Sequence, residues 1–354
     1  MTPGRNERGG PGCVVWEITL ACNLNCMHCG SSAGRARTDE LTTEEALKLC
    51  GDMKRIRSCG VALMGGEPLL RSDWATIAKR VHDLGMDISI ITNGWSVSTG
   101  DVTKRLVEVK PECVSVSLDG ATPDIHDTIR GVPGSFQRAV TAIDCLVNAG
   151  LPTSVITTVH KLNLMALPAI RDLLVGKGIA WQIQMATPFG RLAPEYVLSL
   201  DEFYSVGLFM ASTLKKYPKK QLMIAGAHDM GYFSGVLPNL QVRPWQGCQA
   251  GITTLGIRSN GDVLGCLALS DSFVVGNVRT RSLPDMWYDE AAFSFSRRVT
   301  ERDLGNACVR CDLRKRCKGG CSAVSYSTAG GLHRDPYCFR EIEKHLARAG
   351  NKTN

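Results

Sequence analysis

The chain alternates between two hydrophobic periods. Six short runs, at residues 14–20, 61–64, 87–92, 113–118, 153–159 and 180–185, are dense in apolar and β-branched residues and read as strands. The stretches at 43–57, 73–84, 135–149 and 164–175 place apolar residues every three to four positions and read as helices. Thr42 and Glu45 stand three apart just ahead of the first of these, the pairing of a capping box. Strands alternating with helices imply parallel strands joined by helical crossovers. Six such units make a partial barrel or an open doubly wound sheet. In either, functional side chains lie just beyond the C-terminal ends of the strands.

The pattern changes after about residue 190. Residues 201–216 read as one more helix, and from Cys248 onward cysteine and glycine replace long periodic segments. The expected organisation is a polar tail at 1–12, an α/β domain at 13–190, a linking helical segment at 191–240, a cysteine-rich domain at 241–345 and a second tail at 346–354. A region with so little apolar periodicity needs another source of stability, and bound metal provides one.

Composition narrows the function classes. The 354 residues suffice for two or three domains, and 44% hydrophobic with 21% charged residues is ordinary for a soluble globular chain. No run of 18 apolar residues is present, so no membrane span is expected. The polar, glycine-rich N-terminus lacks the apolar stretch of a secretory signal, and a cytoplasmic location is expected. The formal charge of +7 is scattered, and its densest basic stretch, at 314–320, is interleaved with cysteines, so no nucleic-acid partner is expected. Fifteen cysteines, an odd number, suit metal or cluster ligation better than a disulfide framework.

Three of those cysteines, Cys22, Cys26 and Cys29, fall within eight residues directly after the first strand. Three thiolates on one short loop can hold three irons of a [4Fe-4S] cube and leave the fourth iron open, as a catalytic site requires. Zinc with His28 as a fourth ligand, or buried free thiols, are the competing readings. Further polar motifs follow the later strands: Gly65, Gly66 and Glu67 in "GGEP", Asn93 in "TNG", Ser117 in "VSVSLDG" and Arg130 in "HDTIRG". Taken singly, Gly-Gly-Glu-Pro and Asn-Gly are turns, Asp119 is a helix-cap type and Arg130 a solvated ion-pair partner.

Taken together and in this order, the motifs resemble those of the radical S-adenosylmethionine (radical SAM) superfamily. The resemblance implies a partial (β/α)6 TIM-like barrel, with Cys22, Cys26 and Cys29 on a [4Fe-4S] cluster whose open iron is chelated by SAM. It implies that Glu67 accepts from the SAM amino group, that Ser117 meets ribose or carboxylate, and that Arg130 binds the carboxylate. It also implies reductive cleavage of SAM to a 5′-deoxyadenosyl radical that abstracts a hydrogen atom from substrate.

The C-terminal spacing Cys248-x12-Gly261-x4-Cys266, Cys308-x2-Cys311-x5-Cys317-x3-Cys321 and Cys338 is similar to that of the SPASM domain. A zinc ribbon is the competing reading of the paired thiols. The resemblance implies two auxiliary [4Fe-4S] clusters, one on Cys248, Cys266 and Cys321, the other on Cys308, Cys311, Cys317 and Cys338. Some relatives carry a further cysteine six residues after the first; here that position is Thr254, so the first auxiliary cluster lacks a fourth thiolate. Cys13, Cys50, Cys59, Cys113 and Cys145 lie outside both patterns and read as small buried hydrophobes. Ten ligating thiolates against three cluster cores of about +2 each bring the net charge near +3.

The family suggests a peptide or protein substrate that is cross-linked or oxidised. The alternative within the family is oxidation or decarboxylation of a small molecule such as a tetrapyrrole or aminoglycoside precursor. A non-catalytic iron–sulfur electron carrier is the alternative from another class. Leu267, where sulfatase-maturing relatives have an aspartate, speaks against that activity. Only 13 residues precede the first strand, so leader-peptide recognition is expected to need a separate binding protein or the barrel itself. An electron donor such as flavodoxin or ferredoxin is the other expected partner. Gln182, Gln184 and Arg191, after the sixth strand, and the segment at 160–163, after the fifth, are candidate substrate-facing positions.

Overall fold

The computed structural model describes residues 9–98 and 100–350. Residues 1–8 of the first expected tail and 351–354 of the second lie outside the described residues. Six strands form where the apolar runs predict them: β1 (Cys13–Thr19), β2 (Gly60–Gly65), β3 (Asp87–Thr92), β4 (Cys113–Ser117), β5 (Thr153–Val159) and β6 (Ala180–Met185). A seventh, β7 (Met223–Gly226), lies in the stretch read as a helical link. These strands neighbour one another in chain order, each parallel to the next. A doubly wound sheet needs a point where the strand order reverses, and there is none along these seven. The architecture is the partial (β/α)6 barrel, extended by one strand.

The helices between strands are α1 (Thr43–Arg55), α2 (Trp74–Asp83), α3 (Gly100–Val109), α4 (Pro123–Arg130), α5 (Ser135–Asn148), α6 (Leu167–Leu174) and α7 (Leu200–Lys216). The capping box closes as expected: Glu45 N–H donates to Thr42 Oγ1 at 3.2 Å, and Thr42 N–H donates to Glu45 Oε2 at 2.8 Å. α7 repeats the device with Ser199 and Glu202. Parallel strands are buried on both faces, which is why β1 reads as a nearly continuous apolar run with Val14, Trp16 and Ile18 inaccessible.

The sheet also continues on the other side of β1. β8 (Thr254–Ile257) pairs parallel with β1, then turns into β9 (Asp262–Leu264) and β10 (Gly276–Asn277), both antiparallel to their neighbours. The cysteine-rich region therefore begins by sharing the barrel's own hydrogen-bonded sheet, across the boundary expected near residue 240. Buried Glu17 of β1 holds this junction, accepting from Arg37 Nη2 at 2.9 Å and Ser259 Oγ at 3.1 Å. Short helices follow, and the last, Phe339–Gly350, runs through residues 346–350 that had read as tail. Among the described residues, no helix is long and apolar enough to cross a membrane. Cys59 departs from expectation: it lies in the turn before β2 and is exposed, not buried.

Candidate active site

The loop carrying Cys22, Cys26 and Cys29 leaves the C-terminal end of β1 and is held from several sides. Asn25 and Met27 N–H donate to the carbonyls of Arg130 and Ile129, at the end of α4, at 3.1 and 3.0 Å. Arg191 braces the opposite side: its Nε donates to Cys26 O at 2.9 Å and its Nη1 to Ala33 O at 2.8 Å. Gly190 sits with φ of 66° so close to this loop that a Cβ there would stand 2.2 Å from Cys29 O. Arg191 is thus part of the loop's support, which differs from the substrate-facing position its place after β6 suggested.

Each of the three sulfurs receives at least one N–H, and Cys22 Sγ receives a second from Asn93 Nδ2 at 4.0 Å. Leu24 N–H reaches Cys22 Sγ at 3.4 Å, Ala33 N–H reaches Cys29 Sγ at 3.4 Å, and Arg130 Nη1 reaches Cys26 Sγ at 3.6 Å. Donors aimed at sulfur favour thiolate over thiol, and so suit ligation. Without a ligand the balance runs the other way: burial pushes the Cys22 thiol up to about 11 and raises Cys26. Ligation at neutral pH therefore releases protons.

GGEP lies beside this loop at the end of β2. A Cβ on Gly66 would stand 2.2 Å from Ala21 O, and one on Gly65 2.2 Å from Thr19 O, so only glycine lets the two strand ends meet. Gly66→Ala forces Ala21, and with it Cys22, to move. We expect a loss of about 1–3 kcal/mol in stability, read by thermal unfolding.

Glu67 is fully buried, and its carboxylate faces inward. Oε1 accepts from Thr92 Oγ1 at 2.7 Å and Leu69 N–H at 3.2 Å, while Oε2 accepts from Asn93 N–H at 2.7 Å. Burial nevertheless outweighs these donors and pushes its pKa up to about 7. The carboxylate thus locks GGEP to the tip of β3, where Asn93 Nδ2 donates to Asn23 Oδ1 at 2.8 Å on the cysteine loop. Ser117 ends β4, half-buried, at the same rim.

Under the loop lies a buried polar group that single-residue reading understated. Asp119 caps no helix; Thr122 takes the N-cap position of α4. Its Oδ2 faces Arg130 Nη2 at 2.6 Å and His28 Nε2 at 3.4 Å, and its Oδ1 accepts from Thr158 N–H at 2.9 Å. Arg130 is only 7% exposed, which excludes the solvated role. Burial would raise the Asp119 pKa, but the charge of Arg130 leads the groups that overcome it and the net shift is downward. His28 and His126 are pushed by burial to about 3 and about 4, so both rings are neutral and Arg130 is the cation that pairs with Asp119. His160, after β5, is fully buried, with its ring 5.5 Å from that of His28. Sequence reasoning named Asp119 only as a cap, quoted His126 only within its motif and offered His160 as substrate-facing, whereas all three are buried together under the loop. Asp119 and His160 shared one signal, a polar residue just after a strand.

The seven C-terminal cysteines gather into two groups by their mutual electrostatic effects. Cys266 feels Cys321 and Cys248; Cys308 feels Cys338 and Cys311, and Cys317 feels Cys338 and Cys308. Burial first, then neighbouring thiols, push Cys266 and Cys308 up to about 11 and Cys317 up to about 12. All the cysteines are free thiols. Among the described residues, no three His, Cys, Asp or Glu side chains converge on a point one metal ion could occupy. All-sulfur donor sets suit iron–sulfur cubes.

Residues 16–174 match the radical SAM superfamily, and residues 248–312 match the SPASM iron-sulfur cluster-binding domain. The AdoMet-dependent heme synthase of Methanosarcina barkeri is 31% identical over 342 residues, covering 93% of this chain and 96% of the relative. Mycofactocin maturase MftC of Mycobacterium tuberculosis is 32% identical over 364 residues, covering 97% and 87%. Structures of Streptococcus suis SuiB bound to S-adenosylmethionine and to its precursor peptide SuiA have the same fold, with TM-scores of 0.72 and 0.75 at 18% identity. They cover 94% and 93% of this chain and 76% of theirs. The chain belongs to the radical SAM superfamily and carries a C-terminal SPASM domain. It is an enzyme whose cofactors are [4Fe-4S] clusters and S-adenosylmethionine.

Proposed function

We propose that this enzyme abstracts a hydrogen atom from a peptide or protein substrate, leading to a cross-link or an oxidised side chain. The observation that carries the catalytic part is the three-thiol loop with N–H donors on every sulfur, at the C-terminal end of β1. In this reading Cys22, Cys26 and Cys29 hold the first cluster, and Gly65, Gly66, Glu67, Asn93, Ser117 and Arg130 shape the SAM site beside it. Cys248, Cys266 and Cys321 hold one auxiliary cluster, and Cys308, Cys311, Cys317 and Cys338 the other. When bound, cluster and SAM supply a 5′-deoxyadenosyl radical. The chain's own part is to fix the loop through Arg191 and α4, lock GGEP through Glu67, and keep the region beneath the loop dry and charge-balanced through Asp119 and Arg130.

A peptide is favoured over a polycarboxylate by the two guanidiniums that reach the loop. Arg130 is committed to Asp119, and Arg191 to two backbone carbonyls. Neither is left to pair with substrate carboxylates. Gln182 and Gln184 on β6 are half-buried and neutral, and Gln184 donates to Thr158 Oγ1 at 2.8 Å. The partner of this reading is an electron donor such as flavodoxin or ferredoxin. A tetrapyrrole is the second reading, because a heme synthase is among the relatives matched over nearly their full length.

The test offers the reduced holoenzyme SAM together with short peptides encoded beside its gene, and separately with a propionate-bearing iron porphyrin. A peptide that loses the mass of two hydrogens, with one 5′-deoxyadenosine formed per event, is the expected result. Loss of carboxyl mass from the porphyrin with all peptides unchanged overturns the peptide reading.

A further inference from the structure

The turns that carry Cys308, Cys311 and Cys317 form a small surface knob. Asn306–Val309 and Arg314–Cys317 make one helical turn each. Around them Cys311 N–H donates to Cys308 O at 3.1 Å, Arg314 N–H to Cys311 O at 3.1 Å and Cys317 N–H to Leu313 O at 2.8 Å. Arg340, shortly after Cys338, ties the last helix to the knob through Asp312 at 2.9 Å. All four cysteines of the second auxiliary group therefore belong to one feature. Each of the four is partly exposed, whereas the N-terminal loop has buried Cys26 and the other auxiliary group has buried Cys321. Of the three thiol groups, this one is the most open to solvent.

The charges on the knob do not cancel. Its acids are all engaged: Glu301 pairs with Arg314 at 2.8 Å, Asp312 with Arg340, and Asp303 accepts from Thr300 N–H at 2.7 Å. Arg302, Arg310 and Lys315 are exposed and have no ion-pair partner among the described residues. Arg316, also exposed, lies over the Phe233 ring at 5.2 Å instead of meeting an acid. An ordinary solvated face intersperses both signs, but the charge left free here has one sign. Val309, next to Arg310, adds an exposed apolar side chain. Unpaired charge of one sign beside a small apolar spot suits a brief contact with a partner of opposite sign. A second basic stretch, Lys215, Lys216, Lys219 and Lys220, is equally exposed but lies away from the thiols. α7 meets the Cys338 segment through Phe203, whose ring stands 4.9 Å from that of Phe339. Lys215 lies at the other end of α7, about 18 Å further along the helix axis.

We propose that this knob is the docking surface for a small acidic electron-carrier protein, with Arg310 and Lys315 as its principal contacts. Electrons then enter the enzyme at the second auxiliary group. One electron leaves the carrier's reduced cofactor and is taken up by the cluster there; no bond is made or broken and no proton moves. Opposite charges steer the two proteins together, an effect that fades as salt rises. Entry at the knob also leaves the C-terminal strand ends free for substrate. The inference rests on the reading that Cys308, Cys311, Cys317 and Cys338 share a cluster.

The test uses the full-length holoenzyme and an acidic flavodoxin. Binding of oxidised flavodoxin, titrated at low salt, is expected to weaken about tenfold in the double variant Arg310→Glu with Lys315→Glu, and to lose most of its salt dependence. Lys219→Glu with Lys220→Glu makes the same change in net charge far from the thiols, and is expected to shift the affinity less than about twofold. Reduction by flavodoxin hydroquinone, taken as a ratio to reduction by dithionite in the same variant, is expected to fall in the first variant and to hold in the second. Equal weakening in both variants is a net-charge effect and overturns the proposal, as does unaltered binding in the first. Self-association of the parent that the first variant abolishes assigns the knob to a second copy of the chain and overturns it too. Cys308→Ala is expected to lose about four irons. If it keeps them, the shared-cluster reading fails, and that failure is separate from the binding result.

Discussion

Replacing Asp119 by asparagine is expected to destabilise the protein by about 3–5 kcal/mol. The reason is the guanidinium it leaves behind. Arg130 is nearly inaccessible, and burial alone would lower its pKa, but Asp119 and Cys26 hold it raised and fully charged. Its Nε already lacks a hydrogen-bond partner. With the carboxylate gone, a cation remains in a low-dielectric site with only a sulfur at 3.6 Å. Unfolding entropy of about 2 cal/mol/K per residue converts the loss to a fall in Tm of about 4–7 °C. The double variant Asp119→Asn with Arg130→Met removes both charges and is expected to recover most of it. A fall below about 1 °C in the single variant, or no recovery in the double, shows that the pair contributes nothing particular.

The same pair sets a pH dependence with a definite sign. The folded pKa of Asp119 lies below its unfolded value, so its contribution is fully present above the ordinary carboxylate pKa of about 3.9. It is lost as pH falls through the lower, folded value. Asp119→Asn removes this contribution, so the stability gap between variant and parent closes on acidification.

How much of this was legible beforehand depends on how local each feature is. The six barrel strands and the α1 capping box declared themselves, because apolar period and cap chemistry act within a few residues. The three-cysteine loop was equally plain, since all its thiols lie on one turn of chain. What escaped is non-local. β8 pairs with β1 across about 240 residues of sequence, and a short strand with glycine in it carries little signal alone. Asp119 and Arg130 are eleven residues apart and each has an ordinary solvated role, so nothing but the fold reveals that they bury one another. Glu67 showed its chemistry but not its direction: only the structure shows both oxygens turned to Thr92, Leu69 and Asn93.

Cys26→Ala is expected to abolish formation of 5′-deoxyadenosine while leaving most of the iron in place. If three four-iron clusters are present, iron falls from about 12 to about 8 per chain. The auxiliary groups lie on separate segments and keep their own thiols, so SAM ceases to alter the EPR signal but the remaining clusters stay reducible. The fold should survive, because the loop is held by backbone bonds that do not involve the sulfur: Asn25 and Met27 to the end of α4, and Arg191 to Cys26 O. Far-UV circular dichroism is therefore expected to be unchanged. Cys145→Ala, on α5 and outside every thiol group, controls for the loss of a cysteine as such and is expected to retain both its iron and its activity. Iron loss in Cys145→Ala matching that in Cys26→Ala, or SAM cleavage persisting in Cys26→Ala, removes the three-thiol loop from the catalytic role that the rest of the barrel is built to support.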